Sequence, residues 1–245
     1  NPPDVVARLE EMAAAGRIKL VGEGINRGFA AGVNLGAAAG RGERLLVINP
    51  DAVLRRGSVA ALETALGAEP AIAGGRIFGA DGVEQRGGRR RMLTLASAAG
   101  TFLGLSRVAG GAFPNINRHQ EPAPDGLVPM EAVSGALMYF SRGGFEQLRG
   151  FDDKYFLHVE DLDICRRAEM EGGSVIYAPA AGAYHYGATS DAPSVVVERH
   201  KAAGLKRYFS KFAASPVEKL LAALLGPMFR MALVARAKWR ARARE

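Results

Sequence analysis

The sequence predicts an α/β protein: a mainly parallel sheet flanked by helices, followed by a C-terminal helical tail. Three observations carry that prediction. Strand-like and helix-like patterns alternate from residue 44 to residue 78, as βαβ units require. A long irregular segment at 86–129 then breaks the rhythm, and such segments inside a compact domain usually form binding loops or lids. From Val195 onward the pattern is helical to the end. A length of 245 residues with 48% hydrophobic content is enough to bury a sizeable core.

Taken in order, residues 4–15 (DVVARLEEMAAA) form a helix bounded by Pro2-Pro3 and Gly16. A short apolar run follows at 18–21, then a glycine-rich turn through Gly22 and Gly24. Residues 28–39 read as a helix with Gly28, Gly32 and Gly36 on one face, suited to lying close against a sheet. Residues 44–49 are a buried strand ended by Pro50-Asp51, and 58–66 a helix with Ser58 as N-cap. Strands are expected at 71–78, 131–140 and 174–178, and helices near 142–148 and over 159–171. In the tail, Gly226-Pro227 is expected to break the apolar segment 217–235, and Arg230 to interrupt it. That leaves apolar runs too short for the roughly 20 residues of a spanning helix. The domain division expected is 1–197 for the α/β domain and 198–245 for a basic amphipathic tail.

Charge supports that division. Residues 198–245 hold 12 Lys and Arg against 3 acids, a balance of +9, whereas the other 197 residues hold 20 against 22, or −2. A basic footprint confined to an apolar tail argues against nucleic acid as partner. It suits peripheral contact with an anionic membrane surface, with packing of the tail on its own domain as the plainer reading. The single cysteine, Cys165, excludes an internal disulfide framework and a Cys-rich zinc site, and fits a cytoplasmic protein. No Walker A, HExxH or GxSxG motif occurs, and Gly22-Glu23-Gly24 is too incomplete for a dinucleotide fingerprint.

Three places put polar groups where an α/β sheet presents its binding edge. Asn49-Pro50-Asp51 lies at the carboxyl end of a strand, where ligands of open sheets bind. A carboxylate there suits Mg²⁺ or Mn²⁺ held against a diphosphate, although the same tripeptide also makes an ordinary turn. Glu160-Asp161-Leu162-Asp163 opens a helix, where acids favour the macrodipole whether or not one acts as a base. At roughly 100° per residue, Asp161 and Asp163 point apart. His185 follows the strand 174–178 and is a third candidate; His119, His158 and His200 have no partner legible from sequence. Arg89, Arg90 and Arg91 either clamp an anionic donor or a lipid-linked diphosphate, or form a solvated basic loop.

Four segments in this order, NRGFAAGVNLG (26–36), LLVINPDA (45–52), GGFEQLRGFDDKYFLHVEDLDICRRAEMEGG (143–173) and IYAPAAGAYHYGATS (176–190), resemble family 2 of the nucleotide-sugar glycosyltransferases. The resemblance covers about residues 1–212 and is greatest to the bacterial rhamnosyltransferase-like branch. It implies a GT-A (Rossmann-like) fold and inversion at the anomeric carbon. Asn49-Pro50-Asp51 stands where the family has a metal-binding Asp-x-Asp, so Asp51 supplies most of the carboxylate contact. His185 matches a histidine that completes the metal site. Asp161 matches the catalytic base with Glu160 beside it, and Asn26, Gly28 and Asn34 match the element near the donor nucleotide.

The implied function is transfer of a sugar from a nucleotide-sugar donor, with dTDP-rhamnose preferred, to a hydroxyl of a polysaccharide or lipid-linked acceptor. The implied setting is the inner face of the cell membrane, in cell wall or polysaccharide synthesis. Family members begin with a strand, a helix and a second strand, and Asn1 falls just after them; the chain is therefore expected to lack its N-terminal strands and to bind donor poorly. Two other functions fit parts of the pattern: a sugar nucleotidyltransferase, and a non-catalytic transferase-like module that docks on membranes.

Overall fold

The computed structural model describes residues 3–22, 24–67, 70–186 and 193–242. In chain order these form α1 (Pro3–Ala14), α2 (Phe29–Ala39), β1 (Arg44–Ile48), β2 (Ala52–Leu54), α3 (Ser58–Ala65) and β3 (Ala71–Phe78). The irregular segment holds β4 (Arg89–Arg90), α4 (Leu95–Ala98), a π-helical turn (Ala99–Leu103), α5 (Ser106–Ala109) and β5 (Val128–Pro129). Then come β6 (Ala132–Val133), β7 (Leu137–Ser141), α6 (Arg142–Gln147), α7 (Glu160–Met170), β8 (Ser174–His185), α8 (Ser194–Phe212) and α9 (Pro216–Arg242).

The sheet runs β1-β7-β3-β8-β2, with β5 also on β8. It is mixed rather than mainly parallel: among the described strands only β3 and β8 pair in parallel, and β7 runs antiparallel to both β1 and β3. An alternating pattern of strands and helices specifies elements, not directions. The long excursion after β3 lets β7 enter between β1 and β3 from the opposite end, which a short helical crossover would forbid. Side chains alternate across the sheet. Ile72, Met138, Phe140, Val175 and Tyr177 face the core under α2, α7, α8 and α9, while Ala73, Ile77, Leu137 and Tyr139 face the smaller core under α3.

Two departures from the expected strands shape the site. The run 131–140 is not one strand: it breaks between β6 and β7, leaving Ser134-Gly135-Ala136 as a turn at the sheet edge. In contrast, β8 continues seven residues past Ala178 through Pro179, because its register on β3 shifts from Gly75↔Ala178 to Arg76↔Gly182. The extra residues sit in that irregularity, where proline's missing N–H costs no ladder bond. Strand β8 therefore carries His185 into register with Ala52, the residue after Asp51.

The tail also differs from expectation. Helix α9 passes through Pro227 without interruption. Gly226 precedes the proline and has no Cβ to clash with its ring, and Phe229, Leu233 and Ala237 anchor the following turns in buried positions. One 18-residue window of α9 has mean hydropathy 1.5, so by length and composition alone the helix is long and apolar enough to cross a membrane; 17% of that window is buried. Helix α8 is fixed to the domain by Leu205, Tyr208 and Phe209 in the core. Arg207 and Lys211 add ion pairs to Asp152 at 2.6 and 3.0 Å, and Lys211 reaches the fully buried Asp163 at 2.7 Å.

Candidate active site

At one end of the cleft, the turn from β1 to β2 sets Asn49 and Asp51 beside His185 of β8. His185 Nε2 lies 3.1 Å from Asp51 Oδ1 and 3.1 Å from Asn49 Nδ2. Gln85 orients the ring. Its Nε2–H donates to the His185 carbonyl at 2.6 Å, which turns Oε1 toward His185 Nδ1 at 3.0 Å. Nδ1 is then the protonated nitrogen, and Nε2 presents its lone pair. Asn49 Nδ2–H donates to that lone pair, and a cation shared with Asp51 would take the amide's place. The pair thus fits a divalent ion that takes its remaining ligands from phosphate and water. Among the described residues no group of three or more His, Cys, Asp or Glu side chains is placed to hold a metal.

At the other end, α7 opens with Glu160 and Asp161. The two residues before them, His158 and Val159, adopt φ of 69° and 79°. Positive φ is strained for a β-branched residue, and strain of this kind concentrates at functional sites. Arg90 grips the Asp161 carboxylate with Nη2 at 2.5 Å and Nη1 at 3.2 Å. Gly135 N–H donates to Oδ2 at 3.0 Å, and Leu162 N–H to Oδ1 at 2.9 Å. Burial pushes the Asp161 pKa up, but Arg90 and these amides outweigh it, and the carboxyl is held below its ordinary range. Glu160 goes the other way. Burial first, and then the Asp161 charge, push it up to about 8, and its Oε2 is buried without a hydrogen-bond partner. Two adjacent acids are thereby separated into one ionised and one neutral group.

A cleft of about 490 Å³ joins the two ends, lined by Asn49 and His185, by Ser134 to Ala136, by Glu160 and Asp161, and by residues of α8 and α9. The other predicted site residues, Asn26, Gly28 and Asn34, are not among the residues that line it. Asn26 Oδ1 accepts from the Gly28 N–H at 3.0 Å, closing a turn. Gly28 has φ 92°, and a Cβ there would overlap the Phe156 carbonyl, to which Phe29 N–H donates at 2.9 Å. Phe29 then lines the cleft. The Asn34 amide is committed elsewhere, bonding both the N–H and the C=O of Phe151 at 2.9 and 2.8 Å.

The arginine run is neither a solvated loop nor an anion clamp. Arg89 is 2% exposed and pairs with Glu84 at 2.6 Å, Arg90 pairs with Asp161, and Arg91 pairs with Glu121 at 2.7 Å. The ribbon of β4 and β6 places Arg90 over Asp161.

No protein-family model matches the chain. It is 29% identical over 204 residues to the N-acetylglucosaminyl-diphospho-decaprenol L-rhamnosyltransferase of Mycobacterium tuberculosis, covering 75% of this chain and 64% of that protein. It is 38% identical over 53 residues to rhamnosyltransferase WbbL of Escherichia coli, covering 22% and 20% of the two chains. The chain thus spans less than two thirds of the length of these curated relatives. Among solved structures it matches GalNAc-T7 with UDP, GalNAc and Mn²⁺ (TM-score 0.54, 15% identity, 90% of this chain and 45% of that one). It also matches the Pyrobaculum calidifontis mannosyltransferase PcManGT with GDP-Man and Mn²⁺ (TM-score 0.51, 19% identity, 98% and 62%). The chain shares the GT-A fold of these structures and is similar in sequence to rhamnosyltransferases.

Three contacts of the site were beyond the reach of sequence reading, those of Gln85, Arg90 and Gly135. Each acts through a partner 26 to 100 positions away. No local periodicity records such a contact. The only signal for Arg90 was its place in an arginine run, which pointed toward anions in general and not toward Asp161.

Proposed function

We propose that the chain is the catalytic region of an inverting, metal-dependent glycosyltransferase that moves a sugar from a nucleoside-diphosphate donor to an acceptor hydroxyl. The observation that carries this reading is one cleft with His185, itself 3.1 Å from Asp51, at one end and an ionised carboxylate, Asp161, at the other. Asp51 Oδ1 and His185 Nε2 would hold Mg²⁺ or Mn²⁺. When bound, that ion stabilises the charge developing on the departing diphosphate. Asp161 accepts the proton of the acceptor hydroxyl as its oxygen attacks the anomeric carbon from the side opposite the leaving group, which inverts configuration.

Arg90 and Gly135 keep the Asp161 carboxylate ionised and aimed, and Glu160 remains neutral at physiological pH beside it. Asn26 and Gly28 serve donor binding by shaping the turn that presents Phe29 to the cleft, whereas Asn34 holds the Phe151 backbone. Rhamnose from a dTDP donor is the preferred sugar because both curated relatives are named as rhamnosyltransferases. A lipid-linked diphosphate sugar is the preferred acceptor class, since the mycobacterial relative is named for one. Peripheral contact with the inner face of a membrane is part of the proposal, supported by helix α9, on which Leu220, Leu224, Met228 and Met231 are exposed among Lys219, Arg230 and Lys238.

Product formation from a panel of nucleotide sugars, with Mg²⁺ or Mn²⁺ supplied or chelated, tests the proposal. Asp161→Asn is expected to lower transfer roughly 100- to 10,000-fold while donor binding persists. Turnover at the wild-type rate in that variant removes Asp161 as base, and transfer unaffected by chelation removes the metal.

A further inference from the structure

The wall of the cleft contributed by α9 is cationic. Phe229, Leu233, Arg236 and Arg240 follow one another at spacings of four, three and four, so they share one helical face. The first two are buried in the core; the last two line the cleft, opposite Arg86 from the segment after β3. None of these three arginines makes a hydrogen bond or an ion pair among the described residues. Glu198 is the acid within electrostatic range of Arg86, and it already lies 3.4 Å from Lys201, a further cation of the same cleft. The three guanidinium groups are close enough to act on one another: burial and then the charges of Arg236 and Arg240 lower the Arg86 pKa. Three converging arginines and Lys201 with Glu198 as the acid in range leave a surplus of positive charge, which is unfavourable in a site that holds nothing and favourable in one that receives a polyanion.

We propose that Arg86, Arg236 and Arg240 form a binding site for the diphosphate of a lipid-linked acceptor, presented to the cleft from the α9 side. The position favours the acceptor over the donor for two reasons. Asp51 and His185 already provide a cation corner for the donor's diphosphate. Arg236 and Arg240 stand on the same helix whose outer face exposes Leu224, Met228 and Met231, the side from which a membrane-held substrate arrives. In a sugar joined directly to its lipid diphosphate, the attacked hydroxyl and the diphosphate lie about one ring apart, and one cleft must serve both. This inference rests on the transferase reading given above and deepens it. Helix α9 becomes both the membrane contact and a substrate-binding wall.

The test measures binding of three probes to the whole chain: farnesyl diphosphate, farnesol and dTDP with Mn²⁺. Wild type is expected to prefer farnesyl diphosphate to farnesol. The double variant R236Q/R240Q, and separately R86Q on another element, should weaken farnesyl diphosphate at least tenfold while dTDP–Mn²⁺ stays within twofold. R236K/R240K should restore part of the loss. Circular dichroism checks that each variant is folded, and R86Q does not disturb α9. Equal binding of farnesol and farnesyl diphosphate overturns the proposal, as does undiminished farnesyl diphosphate binding in the variants. Loss of dTDP–Mn²⁺ binding instead, or to the same extent, assigns the arginines to the donor and overturns it too. The transferase reading is tested apart from this by product formation from nucleotide sugars, and the farnesyl arm reports on the arginines separately.

Discussion

Glu160 and Asp161 are neighbours in sequence with opposite proton affinities, and the difference has a measurable consequence. The folded-state pKa of Glu160 is raised from 4.5 to about 8, so its contribution to stability is present below pH about 4.5 and is lost as pH rises through about 8. For Asp161 the shift is downward: its contribution is present above the unfolded pKa and is lost as pH falls through the folded value. Glu160→Gln should therefore remove the decline in stability between pH 4.5 and 8 and leave the acid limb in place. Denaturant titrations across that range check it; an unchanged alkaline limb would mean that Glu160 is solvated in the folded state. At the metal corner, Gln85→Ala frees the His185 ring to rotate and to change tautomer. The expected loss of divalent-ion affinity is roughly 10- to 100-fold, read by calorimetric titration with nucleoside diphosphate present.

At the scale of elements, most helices and strands were legible because their signals are local. Helix α2, strand β1, helix α3, strand β3 and helix α7 lie within a residue or two of where periodicity and glycines put them, although Gly57 and not Ser58 caps α3, the Ser58 hydroxyl donating to the Gly182 carbonyl instead. The exceptions have identifiable causes. The break at Ser134–Ala136 lies within an unbroken β-like run, and the turn there aims the Gly135 N–H at Asp161. Strand β8 survives Pro179 because the irregularity in its pairing absorbs the missing donor. Helix α9 survives Pro227 because tertiary burial of Phe229 and Leu233 outweighs a local cost of about 3 kcal/mol. Pro227→Ala should return the hydrogen bond to the Ala223 carbonyl and stabilise the protein by about 1–3 kcal/mol, seen as a higher melting temperature. A lower one would show that the helix depends on a bend at this position.

For the whole molecule, the charge asymmetry between the tail and the rest takes on a geometric meaning. Residues of α8 and α9 that face inward complete the core and the cleft, while those facing outward combine exposed apolar side chains with lysine and arginine. Replacing Leu224 and Met231 together with glutamate should abolish co-sedimentation with anionic vesicles without lowering the melting temperature. Wild-type binding should weaken as salt rises, because part of it is electrostatic. Retention of vesicle binding by the double variant would place the membrane contact elsewhere.

By itself the sequence determined the α/β class and the positions of most elements, and it singled out Asp51, Glu160, Asp161 and His185 as the candidates for the chemistry. These rest on residue type, local periodicity and the order of motifs, all of which are properties of the chain. Only the tertiary structure decided the directions of the strands, the clamp of Arg90 on Asp161, the Gln85 support of His185 and the arginines that α9 brings to the cleft. Each of those is a contact between distant segments. Its energy depends on burial and on separations of a few ångströms, which appear only when the segments have packed together.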